Sequence, residues 1–212
     1  MKLPMFPLQS VFFPGERVAL HIFEERYKQL IRDCLAEAIT FGIPVYINNT
    51  VAYGTEMQLV EIAHTYPNGE MDIVCSAKRV FKVITFDNEM DDKLYAGGIV
   101  SFLDYMEDGL QTQREAVIEY TKTLYHLMDI PFDHIYKGEL TLHKLIHKIG
   151  LTLQQEYHLL KMTHESEQLI YIRSHLIATT EVLKQVNHMK DVIEMNGHFK
   201  NFDPLDFKDF KI

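Results

Sequence analysis

The sequence predicts an α+β protein, in which an N-terminal β pseudobarrel with one inserted helix is followed by a C-terminal helical bundle with one long helix. Three observations lead to this prediction. Short stretches of the first half alternate with the period of two that is typical of half-buried strands. One segment there has apolar residues at three- and four-residue steps, as in an amphipathic helix. Beyond residue 110 the helical spacing prevails.

Residues 3–27 read LPMFPLQSVFFPGERVALHIFEERY and contain two extended segments joined by a turn. Pro4 and Pro7 lack the backbone N–H that a central strand donates, so we expect the first strand at an edge or a bulge. In Pro14-Gly15, proline presets φ and glycine accepts the left-handed position of a turn. Residues 18–22 alternate apolar with smaller or polar side chains and predict the second strand.

The rest of the first half predicts one helix and further strands. From Glu24, apolar side chains recur on one face of a helix that ends near Phe41-Gly42. Tyr66-Pro67-Asn68-Gly69 is a hairpin turn. Many short strands with turn signals indicate a closed or nearly closed barrel. The strand candidates lie at 43–48, 54–63, 71–76, 78–86 and 94–103.

The second half predicts four helices. Residues 112–128 and 140–149 form the first two, and a Thr152–Gln155 capping box begins the third. The last runs from about residue 165 to 195 and should end at Asn196-Gly197, a good C-terminal cap. At 1.5 Å per residue, about 30 residues make a rod of about 45 Å, which must pack against neighbours in a bundle.

The predicted domains are residues 1–104, the β-domain, residues 105–197, the helical bundle, and residues 198–212, an aromatic tail. Burial of aromatic area favours packing of the tail on the bundle. The alternative is that the tail docks on a partner or a second subunit. Its phenylalanines are Phe199, Phe202, Phe207 and Phe210.

Composition disfavours several classes of function. The 212-residue chain has a net charge of −9 and is acidic in both halves, whereas binding of phosphate backbones requires clustered lysine and arginine, so nucleic acid is an unlikely partner. No apolar run approaches the ~20 residues that cross a bilayer, and the chain start lacks a signal-peptide pattern, so we expect no membrane association. Cys34 and Cys75 are far apart and predict a reduced, cytoplasmic protein.

The sequence predicts no catalytic residue, no metal site and no cofactor. His143 and His147 are spaced to share a helix face, but a zinc protease requires glutamate after the first histidine, and Lys144 stands there. We therefore interpret both histidines as exposed or partly packed. Neither a Gly-x-Ser-x-Gly elbow nor a phosphate-binding glycine loop occurs, and Cys34 lies on a buried helix stripe.

The N-terminal motifs resemble those of the LON substrate-binding domain, the N-terminal part of Lon-type ATP-dependent proteases. The family pattern is a Leu-Pro-Leu-Phe-Pro-Leu opening, a Phe-Pro-Gly turn and an Ile-Phe-Glu-x-Arg-Tyr helix entry. The corresponding residues here are 3–8 (LPMFPL), 13–15 (FPG) and 22–27 (IFEERY). Shorter matches follow in family order at Gly54-Thr55, Pro67-Asn68-Gly69, Arg79-Val80-Phe81 and Tyr95-Ala96.

This resemblance implies a PUA-like pseudobarrel that recognises polypeptide without cleaving it, because the ATPase and Ser-Lys peptidase modules of Lon have no counterpart here. We expect unfolded or peptide segments of other proteins as partners, an adaptor or sensor role in protein quality control, and a homo-oligomer through the helical half or the tail as a further option. The alternatives are a small-molecule or RNA-binding PUA-like protein and a hydrolase whose residues meet on folding.

We expect the peptide groove beside the first edge strand and the turn, facing the helical half. The candidate polypeptide-binding residues are Phe13, Pro14, Glu24, Arg26 and Tyr27. The apolar motif residues are expected mainly in the barrel core, namely Phe6, Leu8, Phe13, Ile22 and Phe23.

Overall fold

The computed structural model describes residues 1–132 and 142–199, with the backbone alone for 196–199. Contacts divide the chain into two units. The first comprises Met1–Gly109 and Leu140–Gln168, and the second comprises Leu110–Glu139 and Leu169–Ile212. Within the described ranges, no helix combines the length and the apolar character that crossing a membrane requires.

The first unit contains a closed, mixed β-barrel. The strand order is β2-β5-β4-β3-β1-β6, and a further pairing of β6 with β5 closes five strands into a ring. β1 and β3 are parallel, and the other pairs are antiparallel. This architecture, with one helix inserted after β2, confirms the predicted fold. Its elements are β1 (Lys2–Met5), β2 (Arg17–Ile22), α1 (Glu25–Glu37), β3 (Phe41–Ile47), β4 (Thr50–Thr65), β5 (Met71–Val83) and β6 (Ala96–Phe102).

The prediction that the first strand lies at an edge or a bulge is wrong, because β1 lies between β3 and β6 and its pairing shows no register shift. Met1 and Val100 exchange hydrogen bonds of 2.9 and 2.8 Å. Hydrogen-bonded residue pairs alternate along the antiparallel strands β1 and β6, so the nitrogen of Pro4 points away from β6. On its other side, β1 begins to pair with β3 only at Met5. No ladder bond therefore requires an N–H at Pro4. Among the described residues, β2 has a free edge, since it pairs with β5 on one side only.

The barrel core contains most of the predicted apolar residues. Phe6, Phe13 and Ile22 are buried, and Cys34 lies on the buried face of α1. Phe23 is 59% exposed, so its assignment to the core is wrong. The side chain of Ile22 faces inward at the end of β2, and alternation turns the next side chain outward.

Gly98 allows two backbone segments to approach closely in β6. A Cβ atom at this position would lie 1.9 Å from the carbonyl oxygen of Thr85, a distance that no real contact reaches. The two strand candidates at 71–76 and 78–86 form the single long strand β5. Its two halves pair with β2 and β6, respectively.

Two short helices, α3 (Leu142–Ile146) and α4 (Leu153–Leu160), also belong to the first unit. The capping box predicted at the start of α4 is confirmed: the amide of Gln155 donates to Oγ1 of Thr152 at 3.3 Å, and the amide of Thr152 donates to Oε1 of Gln155 at 2.9 Å. Asp108 caps the start of the last helix by accepting from the amide of Ser166 at 3.0 Å, and this bond together with His164 lowers the pKa of Asp108 to about 2.

The second unit is built on α2 (Gln111–Leu127) and most of α5 (Glu165–Phe199). The side-chain amide of Asn187 donates to the last carbonyl of α2, that of Leu127, at 2.8 Å. The predicted end of α5 at Asn196-Gly197 is wrong, because the helix continues to Phe199. A glycine within a helix costs about 1 kcal/mol, which does not by itself end it. The buried apolar residues of α5 are Leu169, Ile172 and Leu176.

The predicted tail from residue 200 onward lies outside the described residues. The boundaries proposed at residues 104 and 197 stay predictions, since contact clusters report packing and not independent folding.

Candidate functional site

The Pro14-Gly15 turn is fastened to strand β5. Gly15 adopts a φ of 88°, the left-handed conformation that favours glycine. Its amide donates to the carbonyl of Ala77 at 2.9 Å, and the amide of Ala77 donates to the carbonyl of Glu16 at 2.9 Å. The carboxylate of Glu16 folds back and accepts from the amide of Phe13 at 3.0 Å. These hydrogen bonds hold the turn against β5 and fix the carboxylate of Glu16 beside it.

His147 links this turn to the two short helices. Its Nδ1 lies 2.8 Å from Oε1 of Glu156 on α4, and its Nε2 lies 3.1 Å from Oε1 of Glu16. The hydrogen bonds to Glu156 and Glu16 raise the pKa of His147 to about 10. The imidazolium is consequently charged at neutral pH and connects three segments that are far apart in the sequence.

His143, one helical turn earlier, has the opposite electrostatic character. Its ring stacks on Phe13, with centroids 5.5 Å apart and planes inclined by 11°. Burial lowers the pKa of His143 below its ordinary value of 6.5. Among residues 1–132 and 142–199, no three histidine, cysteine or acidic side chains are placed to hold a metal ion. The interpretation of these two histidines as exposed or partly packed is confirmed, since His147 is exposed and His143 is partly buried. Both also contact residues of the turn region, Glu16 and Phe13 respectively.

A groove of about 1030 Å³ opens between the turn region and α3 and α4. This volume is at the upper end of the range of ligand-binding clefts. Arg17, Val18 and Ala19 of strand β2 line one wall. The other lining residues include the apolar Val11, Phe12 and Leu153 and the basic Lys144 and Lys148.

The groove is positively charged within an acidic chain. Its lining carries Arg17, Lys144, Lys148 and the protonated His147 against two carboxylates, those of Glu16 and Glu156. The two carboxylates are already bound to His147. The net charge of the lining is thus about +2, whereas the whole chain carries −9.

The five predicted site residues lie at separate places. Pro14 lines the groove, and Phe13 is buried, with 1% exposure. Arg26 and Tyr27 line a second cavity of about 640 Å³. There Nη2 of Arg26 lies 2.7 Å from Oε2 of Glu24, and its guanidinium stands 4.5 Å above the Tyr27 ring.

Sequence reasoning missed Glu16, Lys144, Lys148 and Glu156 as groove residues and gave His147 no role. Glu16 and Glu156 meet His147 only through folding, and no spacing along the chain signals that meeting. Lys144 and Lys148 did carry a signal, since residues four apart on a helix share a face.

The thiols of the first unit are not nucleophiles. Cys34 and Cys75 are both free and buried. Desolvation raises the pKa of each thiol to about 12, so neither forms a thiolate at neutral pH.

Comparison with protein families decides the assignment. The model of the ATP-dependent protease La (LON) substrate-binding domain matches residues 2–194. The chain belongs to this family. The resemblance inferred from the N-terminal motifs is thereby confirmed, and the matched domain is the substrate-recognition part of Lon proteases.

Solved structures show the same fold as this LON substrate-binding domain. A Lon N-terminal domain protein from Xanthomonas campestris superposes with a TM-score of 0.63 at 22% identity, covering 82% of this chain and 98% of that one. The N-terminal domain of the Mycobacterium avium complex Lon protease has a TM-score of 0.63 at 16% identity, with coverages of 83% and 98%. No curated protein matches the chain by sequence.

Proposed function

We propose that the chain is a non-catalytic module that binds unfolded or extended segments of other proteins in the groove beside the Pro14-Gly15 turn, as an adaptor or sensor in protein quality control. The family supports substrate recognition as the general role. The observation that carries the proposal is the groove itself, which combines apolar walls, an exposed strand and a rigid frame held by His147.

The chemistry of the groove favours polypeptide over nucleic acid. Phe12, Val18 and Leu153, which are all partly exposed, offer apolar surface to side chains. The whole chain carries a net charge of −9, which disfavours a long phosphate backbone far more than a short peptide. Single-stranded RNA is therefore the competing ligand that the experiment below includes.

Two features support binding without turnover. His147, the central polar group of the groove, is protonated at neutral pH and cannot accept a proton as a general base. The two cysteines are buried as thiols, which also suits the reducing cytoplasm that we propose as the location. Self-association through the helical half or the tail stays a prediction.

The predicted residues Glu24, Arg26 and Tyr27 stay secondary candidates. Arg26 and Tyr27 line the other cavity, and Arg26 forms an ion pair with Glu24 while its guanidinium stacks on the Tyr27 ring. We expect substitutions there to leave polypeptide binding in the main groove unchanged.

The test is fluorescence anisotropy with reduced, carboxymethylated lactalbumin as an unfolded probe and folded lactalbumin as its control. Ala19 is exposed in the groove wall, so Ala19→Trp should fill the groove and weaken binding of the unfolded probe about tenfold or more. Val60→Trp is the matched control, because Val60 is 50% exposed on β4 and does not line this groove.

Equal binding by the two variants would contradict the proposed location. Preferential binding of single-stranded RNA, lost in Ala19→Trp, would replace polypeptide by nucleic acid as the ligand. Cleavage of the unfolded probe that co-purifies with the chain and changes with groove substitutions would overturn the non-catalytic assignment.

A further inference from the structure

Strand β2 has one free edge in the part of the chain that the structure describes. It pairs with β5 from Arg17 to Ile22, and no other described strand pairs with it. Ala77 exchanges hydrogen bonds with Gly15 and Glu16 just before β2 begins. In an antiparallel pair every second residue repeats such an exchange, and the residues between them direct their N–H and C=O groups outward.

The outward-directed backbone groups belong to Arg17, Ala19 and His21, and no backbone hydrogen bond to them occurs among the described residues. These three residues are also exposed. Three such positions can pair with a guest segment of five residues, about 17 Å long.

Part of this edge, from Arg17 to Ala19, opens into the groove, and no strand of the described residues covers it. Arg17, Val18 and Ala19 line the groove together with residues of α3 and α4. Proteins that merely protect an edge do so with a charge, a proline or a covering element. Arg17 is charged and His21 is paired with Asp72 and Glu70, but Ala19 between them presents only a methyl group to an approaching backbone.

The charge of the groove indicates what the guest carries. The lining carries four cations against two carboxylates, and one of the cations, Arg17, also lies 3.8 Å from Glu61 outside the lining. The cations are Arg17, Lys144, Lys148 and the protonated His147, and the carboxylates are Glu16 and Glu156. Alternate side chains of an added strand would enter this lining. Acidic side chains there gain the most favourable electrostatic interaction.

We propose that an extended polypeptide segment with acidic side chains binds by adding as a further strand to the free edge of β2. The inference rests on the proposed function and specifies its mode of binding. Main-chain hydrogen bonds give affinity for many sequences, and the basic lining selects the charge. This combination suits a module that must recognise unfolded chains of varied sequence.

The decisive probe is a fluorescein-labelled octapeptide of alternating valine and glutamate, bound to the full chain and measured by anisotropy. One isomer is N-methylated on two glutamate nitrogens and a second on two valine nitrogens. An added strand donates hydrogen bonds to β2 either from its valine N–H groups or from its glutamate N–H groups, but not from both. At about fivefold in affinity for each lost hydrogen bond, one isomer should bind about twentyfold more weakly and the other less than threefold more weakly. Equal effects of the two methylations would overturn the inference.

Substitutions test the same edge from the protein side. Ala19→Pro removes an outward N–H without touching the pairing with β5, and it should abolish binding of the octapeptide while circular dichroism shows a folded chain. If that variant does not fold, the N-methylated isomers still decide the question.

The charge is tested separately. The double substitution Lys144→Glu and Lys148→Glu should lower the affinity for the valine–glutamate peptide at least tenfold at low salt. It should raise the affinity for a peptide of alternating valine and lysine. Lys82→Glu is the control, since Lys82 is exposed on β5 outside the groove. If the double substitution leaves the affinity for the valine–glutamate peptide unchanged, the proposal that the bound segment is acidic is wrong.

The two levels of the proposal fail differently. If carboxymethylated lactalbumin binds in the groove but the two methylated isomers bind equally well, strand addition is wrong and the proposed function stands. Failure of the unfolded protein to bind at all overturns both.

Discussion

Replacing His147 by glutamine should destabilise the first unit by about 2 kcal/mol at pH 6. The substitution removes the cation that holds Glu16 and Glu156 at 3.1 and 2.8 Å. A hydrogen bond between charged groups contributes about 1.5–3 kcal/mol. The side chain of His147 is 36% exposed, while the two carboxylate side chains are only 15% and 14% exposed, so solvent screening reduces the combined effect to about 2 kcal/mol.

The effect should depend on pH with a defined sign. The pKa of His147 is raised from 6.5 to about 10 in the folded chain. Because the pKa is raised on folding, the ion pairs of His147 contribute their full free energy to stability below about pH 6.5, the pKa in the unfolded chain. This contribution decreases as the pH rises towards 10, the pKa in the folded chain. The difference between wild type and His147→Gln should therefore be largest at pH 6 and almost absent at pH 10.

Urea unfolding followed by circular dichroism at both pH values measures this difference. His188→Gln is the control, because His188 is an exposed histidine of α5 with no carboxylate partner among the described residues. A loss of stability that is equal at pH 6 and pH 10, or one that His188→Gln reproduces, would refute the assignment of His147 as the charged link.

Three further predictions concern the same unit. Gly98→Ala should lower the free energy of unfolding by about 3 kcal/mol in urea titrations, since the new Cβ would collide with the carbonyl of Thr85, and an unchanged midpoint would contradict this. Cys34 and Cys75 should resist a thiol reagent at pH 8 until urea unfolds the chain, because burial raises the pKa of each to about 12, and rapid labelling of the native protein would be inconsistent with that. Asp108 should titrate near pH 2 by NMR; its depressed pKa stabilises the fold above about pH 4 and loses this effect as the pH falls to about 2, so a midpoint near 4 would disprove the helix cap.

Local patterns were sufficient to predict the barrel. Alternation along residues 18–22 identified β2, and the capping box at Thr152 marked the start of α4. Such signals depend on near neighbours in the chain, whose spacing alone determines which face is buried.

Predictions failed where a tertiary contact decides the outcome. The missing N–H of Pro4 indicated an edge strand, yet the offset start of pairing with β3 accommodates it inside the sheet. The helix end predicted at Gly197 failed for a local reason instead, because one glycine costs a helix only about 1 kcal/mol and α5 continues past it.

The groove escaped prediction for a related reason. Glu16, His147 and Glu156 acquire their roles only where the turn meets the two short helices. Glutamate and histidine are common on protein surfaces, so none of these residues stands out in the sequence. The family motif therefore indicated the turn at Pro14 but not the charged residues opposite it.

Hydrogen–deuterium exchange of the full chain, with and without saturating carboxymethylated lactalbumin, tests the central claim most directly. Binding of an extended segment in the groove predicts slower exchange in residues 9–22, where the free backbone groups of β2 lie, and in residues 143–156. Slower exchange around Arg26 and Tyr27 with no change in residues 9–22 would contradict it.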